Sequence, residues 1–336
     1  SAGNRVMLKP SELTPRTSEM LKKTLAENFS IDEIAVFTGG PEVGAQFSGL
    51  PYDLLFYTGS TNVGRLVMQA AAKNLTPVTL ELGGKSPVIV GEECDISKAI
   101  PSIASGKLLN AGQTCVAPDY VLVPESKRDE FVKAFQNAAS KFYPSLRENT
   151  DYTSIVSDRH FDRINGLLED ARANGAKVME FNPKEEDLSG TRKIAPTLVV
   201  DANENMKIMH EEIFGPVMPV LTYKSLDEAI GYVNNHPRPL ALYYFGNDAE
   251  SRDKVLSRTT SGGVAVNETL FHVAQEELPF GGVGPSGIGS YHGYRGFKTF
   301  SHENSVFYQS KFNGNFLFRP PYGKLYDFVA KLLIGK

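Results

Sequence analysis

Two residues sit where packing alone would not place them. Cys115 lies in Asn110-Ala111-Gly112-Gln113-Thr114-Cys115-Val116-Ala117-Pro118, between a helical segment and an apolar strand. Burial as a packing group is the common fate of a free cysteine. Gly112 and its small, polar neighbours point instead to exposed backbone at a junction, where reactive groups are displayed. Glu81 lies in Thr79-Leu80-Glu81-Leu82-Gly83-Gly84-Lys85-Ser86-Pro87-Val88-Ile89-Val90, inside an apolar strand and just before two glycines. An ionised carboxylate there is costly unless it is paired. The same setting raises a carboxyl pKa toward neutrality and so suits a general base. A nucleophilic thiol with a carboxylate base 34 positions upstream is the pairing that covalent catalysis requires.

The elements that must position these groups alternate along the chain. Residues 4–9 read as a strand, and Thr14 and Pro15 as the cap and first residue of a helix reaching Asn28. Residues 34–37 and 54–58 read as strands, the second leading through Gly59-Ser60-Thr61-Asn62-Val63-Gly64 into a helix over 63–73. Beyond Glu81 the pattern predicts strands at 86–90, 119–123, 194–200, 240–245 and 263–266, and helices at 96–109, 126–141, 158–173, 225–235 and 248–258. Near-continuous apolar strands alternating with helices predict an α/β fold with parallel sheets. Residues 278–289 read as a glycine-rich ordered loop or linker, followed by a strand at 305–309 and a helix near 323–334.

Composition narrows the function classes. The 336 residues are 41% apolar and 22% charged, with a net charge of −4 and scattered Lys and Arg, so nucleic acid is not an expected partner. Cys94 and Cys115 form no CxxC pair and have no metal-like histidine spacing, which argues against zinc and against a disulfide framework. Reduced thiols fit a cytoplasmic setting. No apolar run reaches the roughly 18 residues of a membrane span, and neither a membrane span nor a signal peptide is expected in these residues.

The glycine loop after residue 58 resembles a phosphate cradle at a helix N-terminus. It is not a P-loop, since Arg65-Leu66 stands where Lys and a hydroxyl residue belong, and GxGxxG is absent. Gly284-Pro285-Ser286-Gly287-Ile288 fails the GxSxG elbow at its last position, and His292 and His302 read as structural.

With the Glu81 and Cys115 segments, this loop, Lys9-Pro10-Ser11-Glu12 and Glu211-Glu212-Ile213-Phe214-Gly215-Pro216-Val217 closely resemble the aldehyde dehydrogenase superfamily. Residues 262–269 and 278–293 resemble its class 3 and fatty-aldehyde branch, in particular the bacterial coniferyl aldehyde dehydrogenase-like members. The resemblance implies a Rossmann-like cofactor domain, incomplete at its N-terminus, plus an α/β catalytic domain of the aldehyde dehydrogenase fold. The expected division is residues 1–81 for NAD(P) binding, 82–280 for the thiol domain, and 281–336 for the glycine-rich loop, an oligomerisation strand and a tail. It implies Cys115 as nucleophile and Glu81 as the base for the deacylating water. Gly59 and Ser60 would contact the pyrophosphate, Lys9 and Glu12 the adenosine ribose, and Glu212 and Phe214 the nicotinamide ribose and ring. Glu12 would oppose a 2′-phosphate, which favours NAD while leaving NADP possible. The expected substrates are hydrophobic or aromatic aldehydes, oxidised to acids, and the expected assembly is a homodimer or higher homo-oligomer. The family's upstream segment, with its oxyanion asparagine, is absent from these residues, so an N-terminally truncated chain is expected. The rival reading is a catalytically silent relative that binds nucleotide or serves in assembly.

Overall fold

Capping chemistry recurs along the chain and fixes where helices begin. Ser60, Ser157 and Ser225 accept hydrogen bonds from the backbone N–H three residues on, as does Asp248, and Asp95 accepts from Ser97 N. Each cap satisfies an amide that the first helical turn leaves unpaired. The structure, a computed structural model, describes residues 2–335. In chain order it runs β1 (Val6–Leu8), α1 (Pro15–Asn28), β2 (Ile34–Val36), α2 (Pro41–Ser48), β3 (Leu55–Thr58), α3 (Thr61–Ala72), β4 (Val78–Glu81), β5 (Pro87–Val90), α4 (Ile96–Leu108) and β6 (Tyr120–Pro124). There follow α5 (Arg128–Phe142), α6 (Asp158–Ala173), β7 (Lys177–Glu180), β8 (Thr197–Val200), β9 (Val217–Tyr223), α7 (Leu226–Asn234), β10 (Ala241–Phe245), α8 (Ala249–Arg258), β11 (Gly263–Val266), β12 (Gly287–Ile288), α9 (Gly293–Thr299) and α10 (Lys324–Ile334).

A seven-stranded sheet of order β11-β10-β5-β6-β9-β8-β7 is parallel except at the β7–β8 pair. Strands β5, β6, β8 and β10 are buried at every position, as sheets covered by helices on both faces must be. Alternate side chains serve opposite faces. Val88, Val121 and Tyr243 pack with Ile100, Ile103 and Phe131 of α4 and α5, whereas Ile89, Leu122 and Leu242 pack with Ile230 and Val255 of α7 and α8.

The smaller, Rossmann-like part places β3 parallel to β4, with Thr58 opposite Glu81, and α3 packs Val67 and Ala71 against Leu55, Leu80 and Leu82. β12 closes this sheet from the far end of the chain, running antiparallel to β4 with Gly287 opposite Glu81. Residues 278–289 are therefore an ordered return to the small sheet. Strands β1 and β2 form a separate parallel pair.

Residues 1–300 form one compact unit and residues 301–336 a second, in which the described residues form a 3-10 turn at Asn315–Phe318 and α10. The strand expected at 305–309 pairs with no other strand among the described residues, and Phe307 and Tyr308 are 83% and 87% exposed. An extended segment becomes a strand only when a second backbone takes up its N–H and C=O groups.

Candidate active site

The thiol is presented by a bend that only unusual backbone can make. After α4 ends at Leu108, Asn110 (φ 51°), Ala111 (φ 52°) and Gly112 (φ 73°) are all left-handed. A Cβ on Gly112 would lie 2.2 Å from the Gly215 carbonyl oxygen, so this position also demands glycine for space. Gln113 pins the bend. Its Nε2 donates to Asn110 O at 3.0 Å and Ser154 O at 3.1 Å, and its Oε1 accepts from Val156 N at 2.9 Å. Cys115 then occupies a tight turn closed by Ala117 N donating to Thr114 O at 3.0 Å, and Tyr243 Oη donates to Val116 O at 2.5 Å. The half-buried thiol is pushed up to about 11 by burial and further by the carboxyls of Glu212 and Glu81, against donation from the backbone N–H groups of Cys115 and Val116.

Glu81 ends β4 with 2% of its surface exposed, and neither carboxyl oxygen has a hydrogen-bond partner. Burial pushes it up to about 7. A buried acceptor pair without a donor is expensive, and a donor reaching Glu81 would relieve that cost. The Tyr291 phenol feels both groups: burial raises its pKa first, then the charges of Glu81 and Cys115.

Glu212 joins them from the loop before β9. Its carboxyl lies in the crevice left by Gly83, where an added Cβ would come within 2.3 Å of Oε2, and Gly84 N–H donates to it. It is pushed up to about 7 by burial and by Asp119, against Gly84, Lys85 and Arg163. Phe214, two residues on, is half-buried with φ 50°. Lys107, at 1% exposure, lies behind this cluster, drawn down to about 8 by burial although Asp119 and Glu212 pull the other way.

The remaining residues singled out in the sequence gather at the carboxyl ends of β1 and β3. Lys9 Nζ donates to Glu12 Oε2 at 2.8 Å, so the two pair with each other across an open loop. The Tyr57 hydroxyl lies 2.1 Å from where a Gly59 Cβ would stand, and Glu12 contributes to raising the Tyr57 pKa. Ser60 spends its hydroxyl as the N-cap of α3, and the amides of that helix's first turn face the same end. Gly59 N donates to Glu81 O at 3.0 Å, which joins this cluster to Glu81. An open helix N-terminus beside a carboxylate and an ammonium fits a dinucleotide, whose pyrophosphate takes amide donors and whose ribose hydroxyls need an acceptor. Among the described residues no group of three or more His, Cys, Asp or Glu could hold a metal ion, and no helix is long and apolar enough to cross a membrane.

Sequence reasoning missed Asp119, Lys107 and Tyr291. A signal existed for Asp119, an acid directly before an apolar strand, the same oddity that marks Glu81.

The chain's residues 1–306 match the model of the aldehyde dehydrogenase family. It is 57% identical over 340 residues to a protein of Caulobacter vibrioides named "Probable coniferyl aldehyde dehydrogenase", covering 100% of this chain and 70% of that protein. Staphylococcus aureus AldH in its substrate-bound state superposes with a TM-score of 0.91 at 43% identity, covering 98% of this chain and 71% of that one. A Mycobacterium tuberculosis aldehyde dehydrogenase complexed with NAD+ superposes at 0.83 and 31% identity, covering 92% and 64%.

Proposed function

The chain belongs to the aldehyde dehydrogenase family, and from that premise we propose that it oxidises hydrophobic or aromatic aldehydes, of the coniferyl-aldehyde kind, to carboxylic acids with NAD. NADP is a secondary cofactor in this reading, and the working form is a homodimer or higher homo-oligomer in the cytoplasm. The observation that carries the proposal is the buried Glu81 carboxyl, neither oxygen of which has a hydrogen-bond partner, near enough to the Cys115 thiol for its charge to raise the thiol pKa.

In this reading Cys115 attacks the aldehyde carbon and forms a thiohemiacetal, and the Cys115 backbone N–H donates to the developing oxyanion. Bound NAD supplies the hydride acceptor. A thiol near 11 does not ionise by itself at neutral pH. Ionising it at pH 7 costs roughly 5 kcal/mol, so loss of its proton must be concerted with attack or helped by the backbone donors. Glu81 next takes a proton from the water that hydrolyses the thioester, and this acid-releasing step separates oxidation from transfer to another acceptor. Glu212 and Phe214 would hold the nicotinamide end, Lys9 and Glu12 the adenosine ribose, and Gly59 and Ser60 the pyrophosphate.

The test is NADH formation from a panel of aliphatic and aromatic aldehydes by the wild-type chain and by Cys115→Ser. Aldehyde-dependent turnover lost in the variant is the expected result. Equal turnover in both, or NAD binding without turnover in either, would reject the proposed chemistry.

A further inference from the structure

Three segments carry the proposed catalytic and cofactor residues, and one buried carboxylate touches all three. Asp119 stands four positions after Cys115 at the mouth of β6, 3% exposed. Its backbone N–H donates to Ser86 O at 2.8 Å, fixing it to the segment that follows Glu81. One carboxylate oxygen forms an ion pair with Lys85, and the other accepts from Ile213 N at 2.9 Å, between Glu212 and Phe214. Lys85 extends the grip by donating to Ile208 O at 2.7 Å and Glu211 O at 3.0 Å. Arg163 closes it from α6, donating to Glu212 O at 3.1 Å and Ile213 O at 2.6 Å. A packing role alone would not call for a buried carboxylate paired with a half-buried ammonium, their remaining hydrogen-bonding capacity going to the backbone of a single loop.

We propose that Asp119, acting with Lys85, is a positioning residue that sets the distance between the Cys115 sulfur and the nicotinamide-binding loop at 211–214. The inference rests on the functional reading above, because it assigns Glu212 and Phe214 to the cofactor. Its consequence is selective. Hydride transfer needs substrate on sulfur and nicotinamide in register within a fraction of an ångström, whereas thiol-dependent cleavage of an aryl ester uses only Cys115, a base and water.

The primary variant is Asp119→Asn, which keeps the shape but removes the charge opposite Lys85; Asp119→Ala removes the Ile213 acceptor as well. NADH formation from an aromatic aldehyde and Cys115-dependent cleavage of 4-nitrophenyl acetate are measured side by side, with amide hydrogen exchange at Ile213 as a readout free of activity. The expected result is a fall of ~10–100-fold in dehydrogenase kcat, the scale of an ångström of misplacement. Esterase activity should stay within about threefold, and Ile213 exchange should quicken in Asp119→Ala. Equal losses of both activities would mean general damage to the fold, and unchanged dehydrogenase activity would mean that the distance is set elsewhere; either overturns the proposal. Should the wild type show no Cys115-dependent turnover of any kind, the functional reading fails, and unaltered Ile213 exchange in Asp119→Ala then overturns the bracket on its own.

Discussion

Glu81 and Glu212 are both carboxyls held near 7 by burial, so each faces a proton question close to neutral pH. For Glu81 the sign is definite. A base must be deprotonated to accept a proton, so thioester hydrolysis should fall as pH drops below about 7, and a pH profile of steady-state turnover tests this. Glu81→Gln should leave a single-turnover release of NADH while steady-state turnover drops ~10²-fold or more; loss of the burst as well would move Glu81 to the attack step. The same residue makes a stability prediction. Its folded-state pKa is raised from 4.5, so the folded state prefers the protonated form, and its contribution to stability is greatest below 4.5 and declines up to about 7. Glu81→Gln should therefore raise Tm more at pH 8 than at pH 5, by the equivalent of about 3 kcal/mol at most. Cys115 and Glu81 were legible in the sequence because each breaks a packing expectation within its own segment. Asp119 and Lys107 were not, because their meaning lies in partners from other segments.

The elements put the site on an unusual edge. Cys115, Lys85 and Glu212 all precede strands of the large sheet, lying before β6, β5 and β9, while Glu81 and Gly59 close β4 and β3 of the small one. Open α/β sheets ordinarily bind at their carboxyl ends. Here the carboxyl end of the small sheet meets the amino end of the large one, where Glu212 lies against Gly83, and the left-handed bend at 110–112 leads into the thiol. Gly112→Ala would drive a methyl to 2.2 Å from a backbone oxygen at φ 73°. We expect a loss of about 3 kcal/mol or more, seen as a lowered Tm, and a thiol less reactive toward aldehyde; a wild-type Tm would show that the bend relaxes freely. On the cofactor side, Glu12 is held below its ordinary pKa mainly by the Lys9 hydrogen bond and so stays anionic. Glu12→Gln should shift the NADP to NAD ratio of kcat/KM upward by about tenfold, whereas an unmoved ratio would place the ribose elsewhere. The alternating α/β order could be read from periodicity. Helix α2 could not, because Gly39-Gly40-Pro41 carries turn residues that here act as its N-cap and first position. Strand β7 escaped for a different reason: Lys177-Val178-Met179-Glu180 is only 4 residues long at a sheet edge and shows no alternation, its two apolar residues being adjacent.

For the whole molecule, the second unit raises the last question. Residues 301–336 carry five Lys and Arg against two Asp and Glu, a net charge of +3, which leaves −7 of the chain's −4 on residues 1–300. The same 36 residues expose large apolar side chains, with Phe312 at 95%, Tyr308 at 87%, Phe307 at 83% and Leu332 at 71%. Extensive exposed apolar surface marks interaction sites, and a basic, aromatic-rich segment in a chain whose other residues are net acidic suits a second copy of the chain, where burial and opposite charge favour the same contact. The homo-oligomer expected from sequence should therefore form through residues 301–336. Light scattering on the eluting protein should give at least twice 36.8 kDa, and the triple variant Phe307→Ser, Tyr308→Ser, Phe312→Ser should run as a monomer that still binds NAD through residues 1–300. Added salt should weaken the assembly without dispersing it, since the aromatic contacts are not screened. If the wild type elutes at the monomer mass at tens of micromolar, or if the triple variant still assembles, the contact between copies lies on other surface and the charge asymmetry serves something else.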